Sequence, residues 1–142
     1  MTTKNLRRMI TAALLTLVAT VAYSQTDPMT AKIPFAFRAV GTDLPAGNYK
    51  IAQAPGASGD ARTMELRNLD TGKAVFIPAR SPITETKASK SRLVFRCVGE
   101  DGCSLSNLWS GSGSGVEFAT PPLTGSQRER RETIYLERFK AK

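Results

Sequence analysis

Hydrophobic and polar residues alternate with a period of two along most of the chain, as expected for β-strands with one buried face. In the segment 32–38 this alternation places Ile33, Phe35 and Phe37 on the same face. Pro34 interrupts the polar side, which favours a strand start or a sheet edge because proline cannot donate a ladder hydrogen bond. The pattern predicts that these three apolar side chains belong to the core.

Turn-forming residues divide the rest of the alternation into short strands. The stretch 41–47 is rich in turn formers, and residues 48–52 then resume the alternation, so a first hairpin is expected there. A second hairpin is expected over 64–77, where Gly72 can adopt the positive φ of a tight turn. A third pairs Leu93–Cys97 with 103–109. The other expected elements are a solvated connection at 80–91, strands at 116–119 and 133–139, and a short helix at 126–132.

About eight short strands with turns between them predict an all-β fold, either a single antiparallel β-sandwich or a small barrel. The strand pattern alone does not decide between the two. One domain is expected over residues 25–142, since neither an internal repeat nor a change of composition divides this part of the chain.

The first 24 residues have a different pattern. Lys4, Arg7 and Arg8 precede an apolar run of about 14 residues, and small side chains follow at Ala22 and Ser24. This is the three-part pattern of a secretory signal peptide, with cleavage expected between Ser24 and Gln25. An uncleaved anchor is the alternative, but the run is shorter than the roughly 20 residues of a membrane span. We therefore expect a protein exported to the periplasm or the cell exterior, with no transmembrane segment in the mature chain.

Composition limits the chemistry. The chain of 142 residues contains 20 Lys plus Arg, 12 Asp plus Glu, two Cys and no His. Without imidazole, histidine-based nucleophile systems and His-ligated metal sites are excluded, and two thiols are too few for a four-cysteine metal site. The signal segment holds three of the basic residues and none of the acidic ones, so removing it lowers the net charge from +8 to +5. This mild basicity is compatible with attraction to anionic envelope polymers.

Cys97 and Cys103 are expected to form a disulfide across the third hairpin. Pairing them places Phe95 opposite Leu105 and Val94 opposite Ser106, which aligns the apolar face. The oxidising compartment implied by the signal would keep the bond closed. We interpret the pair as a structural clamp and not as a redox centre.

Other chemical motifs have simpler interpretations. The run 110–115 alternates Ser and Gly, but a strand follows it, so it lacks the helix that a phosphate-binding loop requires. As a loop, it would lie beside Trp109 on a binding surface. The cluster 87–92 brings Ser and Lys together in a polar loop that offers no burial to lower a lysine pKa. The Arg-rich segment 128–131 contains its own acidic partners and is interpreted as a solvated helix face, and export argues against a nucleic-acid partner.

Several of these segments resemble a family of small exported proteins of unknown function from soil bacteria. The resemblance begins with Ile33–Phe37, Gly41 and Leu44–Tyr49, and extends to Leu93–Phe95, Leu105–Trp109 and the Arg-Glu cluster at 128–132. Where such relatives carry a tyrosine-rich hairpin tip, this chain has its two cysteines, which indicates a local feature. The resemblance implies a small exported β domain and brings no known activity, catalytic residue or cofactor.

Three functions remain open. The preferred hypothesis is a non-catalytic binding or structural module whose partner is an envelope component, a polysaccharide or another protein. The second is an enzyme that uses carboxylates on a polysaccharide, although no acidic residue has an apolar setting that would raise its pKa. The third is a carrier of a small apolar ligand, in which the aromatic residues line a cavity: Phe35, Phe37, Tyr49, Phe76 and Phe95. No catalytic, cofactor-binding or metal-binding residue is assigned, and the oligomeric state is left open.

Overall fold

The computed structural model describes residues 27–55, 62–100 and 102–141, and this part of the chain is built from β-strands without a helix. The predicted signal peptide and the cleavage position between Ser24 and Gln25 lie outside the described residues. The strands are β1 (Met29–Ile33), β2 (Phe37–Ala39), β3 (Thr42–Leu44), β4 (Gly47–Gln53), β5 (Thr63–Asn68), β6 (Ala74–Pro78), β7 (Ser81–Thr84), β8 (Arg92–Val98), β9 (Gly102–Trp109), β10 (Ser114–Glu117), β11 (Glu129–Tyr135) and β12 (Glu137–Arg138). Within the described ranges, no helix is long and apolar enough to cross a membrane.

The first sheet has five antiparallel strands in the order β12-β1-β4-β5-β6. It contains the predicted second hairpin, in which Arg67 on β5 pairs with Ala74 on β6. Gly72 in the connecting turn has a φ of 78°, so the expected positive-φ glycine is confirmed. The Asp70 carboxylate ties this turn to β4 by accepting from the backbone N–H and the side-chain amide of Asn48, at 3.1 and 3.3 Å.

The second sheet has seven strands. Five follow the order β11-β8-β9-β10-β7, and the β2–β3 hairpin joins through a parallel pairing of β2 with β9. The predicted first hairpin is therefore only partly right. Residue 33 does pair with residue 47, as a return strand requires, but the chain between them leaves the first sheet and forms β2 and β3 in the second. The break falls at Pro34–Ala36, where proline interrupts the ladder.

Both sheets contribute to one hydrophobic core and do not close into a barrel, so the arrangement is sandwich-like. The predicted inner face is confirmed, because Ile33 and Phe37 are buried and Phe35 packs against the core. Three edge-to-face ring contacts, at centroid distances of 5.1 to 5.3 Å, join Phe35 to Phe95, Phe37 to Tyr49 and Phe37 to Phe95. Since Phe37 belongs to the second sheet and Tyr49 to the first, the contact between these two rings helps to hold the sheets together.

The predicted helix at 126–132 is wrong. Residues 129–135 form β11, which pairs antiparallel with β8. Salt bridges join Arg130 to Glu132 and Arg131 to Glu129, which are spaced by two residues and therefore lie on the same face of a strand. The connection predicted at 80–91 also contains a strand, β7, and the described chain has twelve strands where about eight were expected.

Candidate functional site

The predicted disulfide is present. Cys97 and Cys103 are paired across β8 and β9 and bonded at 1.98 Å, close to the loop that joins the two strands. Phe95 lies opposite Leu105 as predicted, but Val94 lies opposite Asn107 and not Ser106, because a β-bulge interrupts the register between Val94 and Phe95. The bond thus closes one end of the hairpin.

The main candidate site is a groove on the outer face of the second sheet, away from the core. Its volume is about 670 Å³, and it is open to solvent. Because alternate residues of each strand point outward, neighbouring strands bring together side chains that are far apart in sequence. We call this surface the outer-face groove; its main side chains are Ile83, Arg92, Val94, Arg96, Asn107, Trp109, Glu117, Glu129, Arg131 and Thr133.

The segment 118–128 bounds one end of this groove. Because the strand order is β11-β8-β9-β10, the chain must cross β9 and β8 to pass from β10 to β11. It cannot pair with the first half of β9, because β2 already occupies that position next to Cys103 and Ser104. Pro121 and Pro122 line a second depression, of about 500 Å³, together with outward-facing side chains of β8 and β9. The segment therefore crosses the outer face of the sheet, and Arg96 lines the depressions on both sides of it.

At the opposite end of the groove, Arg92 lies directly across the strand pair from Trp109, with its guanidinium carbon 5.1 Å from the centre of the indole ring. The same guanidinium forms a salt bridge of 2.8 Å with Glu85 and also donates to the Ser89 hydroxyl. Together with Ser89, which donates to the same carboxylate, Arg92 holds the pKa of Glu85 below its ordinary value. This network holds the Trp109 end of the groove in a defined conformation.

Trp109 is also packed closely against the neighbouring strand. A Cβ atom added at Gly115 would lie 3.0 Å from the indole ring and only 2.4 Å from the Leu108 carbonyl oxygen. Glycine is therefore required at residue 115 for the ring to lie against β10. Of the Ser-Gly run predicted to be a loop beside Trp109, residues 110–113 form the turn between β9 and β10, while residues 114 and 115 begin β10.

The two carboxylates of the groove are held by other side chains and are far apart. Glu117 accepts a hydrogen bond of 3.0 Å from the Ser81 hydroxyl, and Glu129 pairs with Arg131 at 3.3 Å. They lie on β10 and β11, which are separated by β9 and β8. Three strand spacings are about 14 Å, and the registers place the two residues about 13 Å apart along the strands as well. Acid–base pairs of glycosidases are separated by about 5 to 10 Å.

The other predicted candidates are not brought into the groove as functional groups. In the basic cluster 87–92, the hydroxyl of Ser89 donates to Glu85 and accepts from Arg92. The aromatic set of the carrier hypothesis is divided, because Phe76 is 59% exposed on the outside of the first sheet while Phe37, Tyr49 and Phe95 pack against one another. No group of three or more potential metal ligands is present in the described ranges.

Sequence reasoning identified Trp109 but missed the arginines around it. Arg92 belonged to a predicted loop cluster, and Arg131 to a predicted helix. Their common face becomes visible only when β11 is paired with β8, which sets Arg131 opposite Arg96. The sequence did contain a signal for this face. Leu93, Phe95 and Cys97 alternate on the inner side of β8. The residues between them, Arg92, Val94 and Arg96, must therefore lie on the outer side.

Comparisons with protein-family models, curated proteins and solved structures gave no match.

Proposed function

We propose that the protein is a non-catalytic, exported β domain that binds a polysaccharide of the cell envelope through its outer-face groove. The observation that carries the proposal is the set of side chains in this groove: Trp109 and Val94 are apolar, while Asn107, Thr133 and the arginines supply hydrogen-bonding groups. Sugar units present both C–H surfaces and hydroxyl groups, so a ligand of this kind requires such a mixture.

The supporting scaffold is a hydrogen-bonded sheet that packs on the core. The strands β8, β9, β10 and β11 carry most of the groove side chains, and their inner faces include the buried residues Leu93, Phe95 and Leu105. A surface held on strands loses less conformational entropy on binding than one held on loops.

The two alternatives have weaker support. A polysaccharide-cleaving enzyme needs a pair of nearby carboxylates, whereas Glu117 and Glu129 are separated by two intervening strands and each is bound to another side chain. A carrier of apolar ligands needs an apolar interior cavity, whereas Phe37, Tyr49 and Phe95 make ring contacts with one another.

Export is part of the proposal. Its support is the charged and apolar pattern of residues 1–24 together with the disulfide, which persists in oxidising compartments. Intact-mass measurement of the protein from its native host is expected to show a species that begins at Gln25. A species that still begins at Met1 would contradict export by cleavage.

The binding proposal is tested by cosedimentation of the mature protein with insoluble wall polysaccharide from the native host. Trp109→Ala and Asn107→Ala are expected to reduce the bound fraction severalfold. Phe76→Ala is the matched control, because it removes an exposed aromatic ring from the other sheet, and it should bind like the wild type. Circular dichroism of each variant verifies that it is folded. Equal binding by folded Trp109→Ala and the wild type would contradict the assignment of the groove.

A further inference from the structure

Two arginines lie side by side in the middle of the outer-face groove. Arg96 on β8 and Arg131 on β11 are directly opposed in the strand register and both point away from the core. Like charges at directly opposed positions destabilise a sheet unless another group compensates them. The repulsion between Arg96 and Arg131 is therefore lowered when each arginine has an anionic partner.

Within the described residues, the other groove arginines have such partners and Arg96 does not. Arg92 is paired with Glu85, and Arg131 with Glu129. No carboxylate lies within salt-bridge distance of Arg96 in this part of the chain, and its Nε–H is buried without a hydrogen-bond acceptor. Buried donors without an acceptor are rare in folded proteins, and a charged one is especially unfavourable.

We propose that Arg96 and Arg131 form a binding site for an oxyanion carried on the polysaccharide, a carboxylate or a phosphate group. This inference rests on the proposed function and names the chemical class of its ligand. Because the Arg96 Nε is buried, an oxyanion between the two guanidinium groups would accept hydrogen bonds from their terminal nitrogens. It thereby supplies the negative charge that Arg96 lacks and offsets the repulsion between the two like charges.

The surroundings of the pair suit a polymer more than a small ion. Arg96 lines the depressions on both sides of the segment 118–128. The net charge of +5 that remains after removal of residues 1–24 adds a long-range attraction for polyanions. Arg131, with 76% of its side chain exposed, can turn toward the ligand because an exposed ion pair such as that with Glu129 is weak.

The test uses four probes with the mature protein in binding titrations at low and moderate salt. Alginate carries carboxylates, phosphorylated dextran carries phosphates, dextran is neutral, and inorganic phosphate is a free anion. We expect at least one of the two polyanions to bind and dextran to bind far more weakly. Comparing alginate with phosphorylated dextran identifies which oxyanion the site prefers. Binding of inorganic phosphate as tight as that of both polymers would overturn the assignment to a polysaccharide.

Three matched variants localise the binding. Arg96→Gln is expected to weaken polyanion binding about tenfold and Arg131→Gln severalfold. Arg130→Gln removes the same charge from the same strand but on the opposite face, so it should leave binding nearly unchanged. Because Arg131 is well exposed, its substitution keeps the test valid even if Arg96→Gln lowers stability. Equal losses in Arg130→Gln and Arg131→Gln would overturn the site in favour of diffuse attraction.

The two proposals fail in different ways. Tight binding of dextran, unaffected by Arg96→Gln, would overturn the oxyanion site and leave polysaccharide binding intact. If every groove variant still cosedimented with wall polysaccharide as the wild type does, the proposed function itself would be overturned, along with this inference.

Discussion

Leu105 and Leu108 both face the core, although they are three residues apart on the same strand. Strict alternation would put them on opposite faces, but the β-bulge between Val94 and Phe95 shifts the register of β8 against β9 by one residue. Phe95 then lies opposite Leu105, and Leu93 lies opposite Leu108. The same shift turns Asn107 and Trp109 outward, so the bulge creates both the inner apolar face and the groove.

Leu108→Ala is therefore expected to destabilise the domain as a core truncation does. Removing a buried leucine side chain costs about 2 to 5 kcal/mol in the free energy of unfolding. Urea denaturation measures this value. Leu123→Ala is the control, because Leu123 is exposed, and its effect should stay within about 0.5 kcal/mol. Similar small effects of both substitutions would show that Leu108 does not face inward.

The phenylalanines allow a graded test of the core. Phe37 is only 4% exposed and contacts the rings of Tyr49 and Phe95, so Phe37→Ala should cost about 3 to 5 kcal/mol or abolish folding. Phe35→Ala should cost less, since Phe35 is partly buried. Phe76→Ala should change the melting temperature little, because its ring is exposed. Unchanged melting of Phe37→Ala would refute the core assignment.

The disulfide should act as a local clamp. No free thiol is expected in the oxidised protein, and thiol titration under denaturing conditions checks this. For so short a loop, chain entropy predicts a loss of about 2 to 2.5 kcal/mol when both cysteines are replaced by alanine. Reducing agent should shift the unfolding midpoint of the wild type but not of the double variant. Two titratable thiols in the unreduced wild type would contradict the prediction.

The contribution of the β5–β6 turn to folding stability should depend on pH, because the turn is held by the ionised carboxylate of Asp70. The backbone N–H of Asn48, followed by its side-chain amide, lowers the pKa of the Asp70 carboxyl below its ordinary value of 3.8. A carboxyl whose folded pKa is lowered contributes stability above the unfolded pKa, and this stability is lost as the pH falls through the folded value. The wild type should therefore exceed Asp70→Asn in stability at neutral pH, and the difference should shrink below about pH 4.

Urea unfolding at neutral and acidic pH measures this difference. Asp27→Asn is the control, because Asp27 is exposed and makes only a loose contact of 4.0 Å with Arg138. A difference between the wild type and Asp70→Asn that is constant over the whole pH range would contradict the role of the ionised carboxylate.

Local patterns were sufficient for much of the fold. Alternation identifies the inner residues of β4, β5 and β8, because a strand with one buried face allows only one choice of side. The β5–β6 turn and the disulfide were also predictable, since each involves residues close in sequence. The charged segment 128–132 misled the prediction, because its outward residues lack the apolar alternation of a strand and its Arg-Glu spacing is compatible with a helix.

Non-local pairings were not predictable from these patterns. Nothing near residue 37 indicates that β2 will leave the first sheet and pair in parallel with β9. The same holds for the groove, because Arg96 and Arg131 are neighbours only through the pairing of β8 with β11. Arg96 itself appears as an ordinary outward residue until the burial of its Nε is seen.

The most direct test of the binding surface is an NMR titration of the isotopically labelled mature protein with solubilised wall polysaccharide. The account predicts that chemical-shift changes concentrate at Val94, Arg96, Asn107 and the Trp109 indole on the outer face of the second sheet. Residues on the outer face of the first sheet, such as Lys50 and Phe76, should change little. Changes confined to the first sheet, or none at saturating polysaccharide, would contradict the outer-face groove as the binding surface.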